Sequence, residues 1–248
     1  MNPQKVTVVI PCYNESKGIG KVINGFNRER LLHHGYELDI LVVDNNSTDN
    51  TSEVARDAGA RVIVEKTKGK GNAMRTGFKN VSDDSTYVVM LDGDDTYSAS
   101  EVHRLLEPLH SGFCEVVIGS RLNGKMKEGS MTLFNRMGNW VFSHLVSYFY
   151  RANVTDVLTG YFAWKKYVID DMAPHLVSDG FAIEMEMITK IAKLGYEIYS
   201  VPISYHPRSG ETNLRPIYDG YRILKMFFRN LFWKVKDNEA DEHIEVTV

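Results

Sequence analysis

The apolar positions in the first half of the chain fall into short, near-continuous runs separated by stretches of helical period. Val6 to Ile10, Leu38 to Val43, Val62 to Val64, Tyr87 to Leu91 and Glu115 to Gly119 predict five strands. Between them, Glu15 to Leu32, Thr51 to Ala58, Asn72 to Asn80 and Ser100 to His110 predict helices. Strands apolar on both faces and alternating with helices imply an α/β fold with a mostly parallel sheet, helices covering each face. The second half is less regular. It predicts a helix from Thr132 to Arg151 rich in aromatics, a turn at Thr159-Gly160 and a strand from Tyr161 to Trp164. A helix from Ala182 to Leu194, a strand from Glu197 to Tyr205 and a last helix over roughly Pro216 to Lys236 complete it.

Composition narrows this little. A chain of 248 residues, 43% hydrophobic and 25% charged, fits one large globular domain. A net charge of -3 argues against a nucleic-acid partner held by bulk charge. Cys12 and Cys114 each sit in an apolar run and read as small core residues of a reducing compartment. The start, Met1 to Lys5, lacks a signal-peptide pattern, and no uninterrupted apolar run reaches the ~18 residues of a membrane span. No transmembrane helix is expected, and the acidic end, 237–248, reads as a solvated tail.

Candidate chemistry concentrates where strands end. Ligands of doubly covered parallel sheets bind outside the carboxyl ends of the strands. Pro11 to Glu15, Asp44 to Thr48 and Asp92 to Thr96 all fall there, so three polar segments share one rim. Asp92-Gly93-Asp94 places two carboxylates in one turn, a site for a hard divalent cation able to hold a diphosphate. Taken alone, the same triplet is an ordinary turn.

Taken together, Val9 to Glu15, Val43 to Asp49 and Asp92-Gly93-Asp94 resemble family-2 glycosyltransferases with the GT-A (Rossmann-like) fold. Gly119-Ser120-Arg121, Asp156 with Thr159-Gly160-Tyr161, and Arg208 to Glu211 are similar to the polyprenyl-phosphate (dolichyl-phosphate) sugar synthases of that family. The resemblance spans about residues 5 to 215, which makes 1–215 the expected catalytic domain. Within it, Pro11 ends the first strand and Tyr13 offers an aromatic face to a base. Glu15 and Asp44 suit a ribose hydroxyl and the N–H of a base, although Glu15 also suits a helix N-terminus. Family analogy makes Asp44 the base contact, with Asn45 where relatives often carry a second aspartate. Lys70, in the turn Lys68 to Asn72, suits the diphosphate, and a solvent-exposed loop is the alternative. The resemblance implies that Asp94 binds Mg²⁺ or Mn²⁺, with Asp92 on the metal or the ribose. Thr96 stands where some relatives carry a Gln ligand. Asp156 resembles the acidic residue near the sugar. Glu184 and Glu186 flank Met185 on a predicted helix, so one is expected to face the sugar and the other solvent.

A polyprenyl phosphate is already anionic at neutral pH, so an acceptor of that class requires no general base. Arginines that align two phosphates carry the chemistry instead. Arg121, Arg136 and Arg208 are the candidates, in that order, with surface ion pairs as the alternative for each. Inverting chemistry would give a β-linked sugar phosphate from an α-linked donor. Gly93 to Tyr97 and Phe181 to Glu186 look more like relatives that use UDP-glucose or UDP-N-acetylglucosamine than GDP-mannose. A lipid acceptor also demands a membrane surface. Gly138 to Arg151 is aromatic and almost uncharged, and 216–236 mixes aromatics with Arg222, Lys225, Arg229, Lys234 and Lys236. Both read as interfacial segments of a peripheral protein on the cytoplasmic face, with packing against the core or a homo-oligomer contact as the alternative.

Overall fold

The structure is a computed structural model, described for residues 3–208, 210 and 214–234. The acidic tail, together with Ser209 and Glu211 of the Arg208 motif, lies outside the described residues.

One seven-stranded sheet runs in the order β3-β2-β1-β4-β6-β5-β7. The strands are β1 (Gln4–Cys12), β2 (Tyr36–Asp44), β3 (Arg61–Val64), β4 (Tyr87–Leu91), β5 (Val116–Met126), β6 (Tyr161–Lys165) and β7 (Ile198–Tyr205). β1, β2, β3 and β4 pair in parallel, in keeping with their apolar runs. Their alternate residues feed two cores. Val9, Leu41, Val43, Val88 and Met90 point into one. Val8, Ile10, Val42, Val89 and Leu91 point into the other. The helices covering the two faces are α1 (Ile19–Asn24), α2 (Arg28–His33), α3 (Thr51–Asp57), α4 (Lys70–Lys79), α5 (Val102–His110), α6 (Leu133–Tyr150), α7 (Lys166–Met172), α8 (Ile183–Lys193) and α9 (Pro216–Leu231).

The structure departs from the sequence reading at three places. The helix expected over 15–32 is two short ones, because Gly25 ends the first and Asn27 starts the second, accepting from Arg30 N at 2.9 Å. β6 inserts antiparallel between β4 and β5, so those two strands are not neighbours. β5 continues past Gly119 to Met126, pairing with β7 across an irregularity between Ser120 and Lys125. That extension carries Arg121 out of the sheet centre and over the rim. No helix among the described residues is long and apolar enough to cross a membrane.

Helix α9 is integral to the fold. It buries Ile223, Met226 and Phe227, and Asn230 Nδ2 donates to Thr189 Oγ1 of α8 at 2.8 Å. Tyr150 at the end of α6 donates to Phe227 O at 2.5 Å. Both helices also expose large apolar side chains, with Arg136, Lys225 and Arg229 exposed among them: Leu133, Met137, Trp140 and Tyr148 on α6, and Ile217, Tyr221 and Phe228 on α9, with Phe232 just beyond it.

Candidate active site

The parallel strands β1, β2 and β4 deliver their carboxyl ends to one edge of the sheet, and each is followed by a residue in the left-handed region. These are Asn14 (φ 57°), Asn46 (φ 61°) and Asp95 (φ 65°). Asparagine and aspartate visit that region most readily among side-chain-bearing residues, so the turn residues and the tight turns agree. The first two turns are laced together. Asn14 N donates to Ser47 Oγ at 2.9 Å, Asn14 Oδ1 accepts from Thr48 N at 2.8 Å, and Glu15 N donates to Thr51 Oγ1 at 2.8 Å.

A cavity of about 410 Å³ opens at this rim, lined by Pro11, Tyr13, Glu15, Lys70, Asp92 and Asp94 among others. These residues, all expected at the nucleotide or its metal, therefore converge. Asp44 does not line the cavity. Its carboxylate accepts from Ser47 N at 2.9 Å and from Ser52 Oγ, so it braces the turn, and the lining position belongs to Asn45. In sequence Asn45 stands out only as a substitution beside Asp44, yet it fixes the cavity wall. Its Nδ2 donates to Thr67 O at 2.8 Å and its Oδ1 accepts from Gly69 N at 2.6 Å. The Tyr13 face is shared, because Lys68 Nζ lies 4.7 Å from its ring centre and 2.9 Å from its hydroxyl.

Charge in the cleft is arranged as two interleaved clusters. Lys70 Nζ stands 2.6 Å from both Asp92 and Glu184. Arg208 pairs with Glu15 and lies 3.4 Å from Asp94 Oδ2. Burial lowers the affinity of Lys70 for its proton, but the two carboxylates outweigh it and the net shift is upward. Burial pushes up the carboxyls of Asp94 and Glu184; Asp92 adds to both, while Arg208 opposes the first and Lys70 the second. Glu15 is pushed up to about 7, by burial first, against the opposing pull of Arg208. These are carboxylates held together at a cost that an arriving cation would relieve.

The donor set fits a divalent ion that takes part of its shell from a diphosphate. Asp92 and Asp94 offer carboxylate oxygens, and no group of three His, Cys, Asp or Glu able to hold a metal occurs among the described residues. A cation bound by one or two carboxylates plus substrate phosphates needs no more. Thr96 is not placed as a ligand. It holds Asp94 Oδ1, its hydroxyl donating at 2.6 Å and its N–H at 3.1 Å, which leaves Oδ2 turned to the cleft. Gly160 lies so close to Asp92 that a Cβ there would collide with the carboxylate. Its N–H donates to Tyr97 Oη at 2.6 Å. Arg208 Nε is buried with no hydrogen-bond partner among the described residues, an unmet donor beside the carboxylate pair.

A second cavity, of about 750 Å³, continues from the first and shares Lys70, Asp92, Asp94, Phe181 and Arg208 with it. Arg121 lines this half. Asp156 grips it with oxygens 2.9 Å from Nε and 2.8 Å from Nη2, and also accepts from Arg121 N at 2.7 Å. Asp156 is fully buried, holds Arg121 and lines neither cavity. Asn139 of α6 donates to the same carboxylate at 2.6 Å. Burial disfavours the Arg121 charge, but Asp156 more than offsets this and raises its pKa. Arg136 is exposed on α6 and lines neither cavity, so it is not brought together with Arg121 and Arg208. Glu186 does not face solvent. It is fully buried, pairing with Lys190 at 2.7 Å and accepting from Ser178 N at 2.7 Å, and so braces the loop that packs on α4. Arg222 of α9 lines the first cavity and pairs with the exposed Asp179. Cys12 and Cys114 are free and buried, and burial first of all pushes both thiols up.

A mostly parallel seven-stranded sheet with helices on both faces is a GT-A-like fold, shared with solved glycosyltransferases. The chain belongs to glycosyl transferase family 2, whose model matches residues 7–172. The glycosyltransferase AglJ of Haloferax volcanii is 39% identical over 238 residues, covering 95% of this chain and 74% of that protein. A dolichyl-phosphate hexose transferase of the same organism is 33% identical over 220 residues, covering 89% and 91%. Among solved structures, glucosyl-3-phosphoglycerate synthase of Mycobacterium tuberculosis, in complex with Mn²⁺, UDP and phosphoglyceric acid, superposes with a TM-score of 0.71. It is 21% identical and covers 94% of this chain and 80% of that one, a likeness of fold.

Proposed function

We propose that this glycosyltransferase moves a hexose, glucose or N-acetylglucosamine, from a UDP-sugar to a polyprenyl or dolichyl phosphate. The observation that carries the reading is the continuity of the two cavities. A polar half at the strand ends runs through Asp92, Asp94, Lys70 and Arg208 into a half that has Arg121 at its inner end and apolar helix faces beyond. A nucleotide diphosphate suits the first half and a lipid phosphate the second. The Haloferax dolichyl-phosphate hexose transferase supports the acceptor class, and the UDP and Mn²⁺ of the solved neighbour support the donor and cation.

On this reading Asp92 and Asp94 hold Mg²⁺ or Mn²⁺, which when bound neutralises charge growing on the diphosphate as the sugar departs. Lys70 and Arg208 exchange their carboxylate partners for phosphate oxygens. Arg121, fixed by Asp156, presents its remaining donor edge to the acceptor phosphate and helps to set it in line with the anomeric carbon. The acceptor oxygen is already ionised, so the side chains orient and need not take a proton. Attack from the face opposite the leaving diphosphate gives a β-linked product from an α-linked donor. The exposed apolar faces of α6 and α9 rest on the headgroup region of a membrane, on the cytoplasmic side where nucleotide sugars are made.

The test incubates the protein with polyprenyl phosphate, Mn²⁺ or Mg²⁺ and a panel of labelled UDP- and GDP-sugars, and follows label into the organic phase. Transfer from a UDP-hexose that is lost with Asp94→Ala is the expected result. Label entering only water-soluble product would move the assignment to a saccharide or small-phosphate acceptor of the same fold.

A further inference from the structure

Glycine inside a helix is destabilising relative to alanine, so each such residue calls for a reason. In α4 the reasons are visible: a Cβ on Gly71 would collide with the backbone of Ser178, and one on Gly77 with the side chain of Val9. In α1, a Cβ on Gly20 would press on Val54 at 3.2 Å. Gly138 in α6 and Gly220 in α9 are different. Among the described residues a Cβ on either would meet nothing within 4 Å, and both line the 750 Å³ cavity. Packing among the described residues therefore does not account for them.

Their placement does. Helices α6 and α9 touch where Tyr150 donates to Phe227 O and the rings of Phe149 and Tyr150 meet that of Phe227. Nearer their amino-terminal ends the same two helices border the cavity with Phe134, Gly138 and Phe142 on one side and Ile217, Gly220 and Ile223 on the other. Asn135 and Asn139 of α6 also face the cavity, and the rest of this stretch of wall is apolar. It begins at the charged inner end, marked by Arg121 and Arg208, and leads toward the exposed apolar faces of both helices.

We propose that Gly138 and Gly220 keep open a passage between α6 and α9 for the isoprenoid chain of a lipid phosphate, and so select acceptors by their tail. The proposal rests on the lipid-phosphate reading of the acceptor and adds which residues admit the chain. The chemistry at the two ends commits the occupant. An anionic head is met by Arg121 and Arg208, and a branched hydrocarbon is met by phenylalanine and isoleucine walls whose width the two absent side chains set. A methyl-branched chain needs clearance on both sides, which a pair of facing larger residues would remove.

The test compares the full chain with Gly138→Leu, Gly220→Leu and the two alanine variants. Leucine and alanine favour helix, and a Cβ at either position clashes with nothing, so melting temperatures equal to or above the parent's are expected. Transfer is measured to a long-chain polyprenyl phosphate in detergent and to a short ten-carbon isoprenyl phosphate. The passage predicts that kcat/KM for the long chain falls at least tenfold in the leucine variants and less in the alanine variants. UDP affinity and short-chain transfer should stay within about twofold. Equal loss on both acceptors, or no loss on either, overturns it. If the parent itself transfers to neither lipid phosphate, the acceptor reading fails and the passage falls with it.

Discussion

Asp94 shows how much a single side chain depends on a neighbour of ordinary type. Thr96 occupies one of its oxygens through two hydrogen bonds, so the other is aimed at the cleft. Partners that orient a metal-binding carboxylate typically account for 10–100-fold in metal affinity. Thr96→Val should therefore raise the half-saturating Mn²⁺ concentration for transfer by roughly tenfold or more, with UDP binding measured without metal little changed. Arg121 poses the same dependence on a larger scale. Asp156 supplies its counter-charge and both ends of its fork, so Asp156→Asn removes the charge while keeping the shape. Turnover is expected to drop by about 100-fold, the order associated with a misplaced positioning group. The loss should appear chiefly with the acceptor, read as kcat/KM against each substrate in turn.

At the scale of elements, carboxylates tie strands to one another and to loops. The half-buried Asp39 on β2 is one such tie: Arg61 of β3 donates to it at 2.9 Å, Ser82 at 3.2 Å and Thr7 of β1 at 3.3 Å. Burial works to raise its pKa, but the hydrogen bond and charge of Arg61 prevail and hold it below the ordinary carboxylate range. A carboxyl with a depressed folded-state value stabilises the protein above the unfolded value, about 3.9, and loses that contribution as pH falls through the folded one. Asp39→Asn should lower the urea midpoint at pH 7 and show a shallower further decline below pH 4 than the parent. An unchanged acid limb would mean that the β2–β3 edge is held by packing alone. The α6 helix also joins site and surface. Its Asn139 reaches the Asp156 carboxylate while Trp140 beside it is exposed.

For the whole molecule, the exposed aromatics on α6 and α9 stand on the two helices that border the second cavity, away from the nucleotide end. Large apolar groups left in water mark a surface that meets a membrane or another protein. Tyr221→Glu combined with Phe228→Glu should weaken co-sedimentation with anionic vesicles by tenfold or more, since charges oppose insertion at the headgroup boundary. Transfer to a short, water-soluble isoprenyl phosphate should survive. Retained vesicle binding would move the face to protein contact, and a change of oligomeric state in the double variant would identify that partner as a second copy.

The sequence by itself determined the parallel half of the sheet and the rim where chemistry occurs. Runs of Val and Ile broken by Asp, Asn and Gly fix which residues are buried in strands and which are turned out at their ends. Pro11, Tyr13, Glu15, Lys70, Asp92 and Asp94 were legible for that reason, each adjacent to a strand or helix end. What joins residues across long separations was not. The Arg121–Asp156 fork, 35 residues apart along the chain, exists because β6 inserts antiparallel and returns the 156–160 segment beneath β5. Arg121 and Arg136 are both phosphate-ligand candidates in sequence, in that order, and only packing turns the second outward and the first into the cleft. Asp44 ends β2 and Asn45 follows it directly, and the fold alone decides which of them lines the cavity. Two glycines on separate helices border one cavity for the same reason: local sequence sets conformation, but long-range packing sets which surfaces meet.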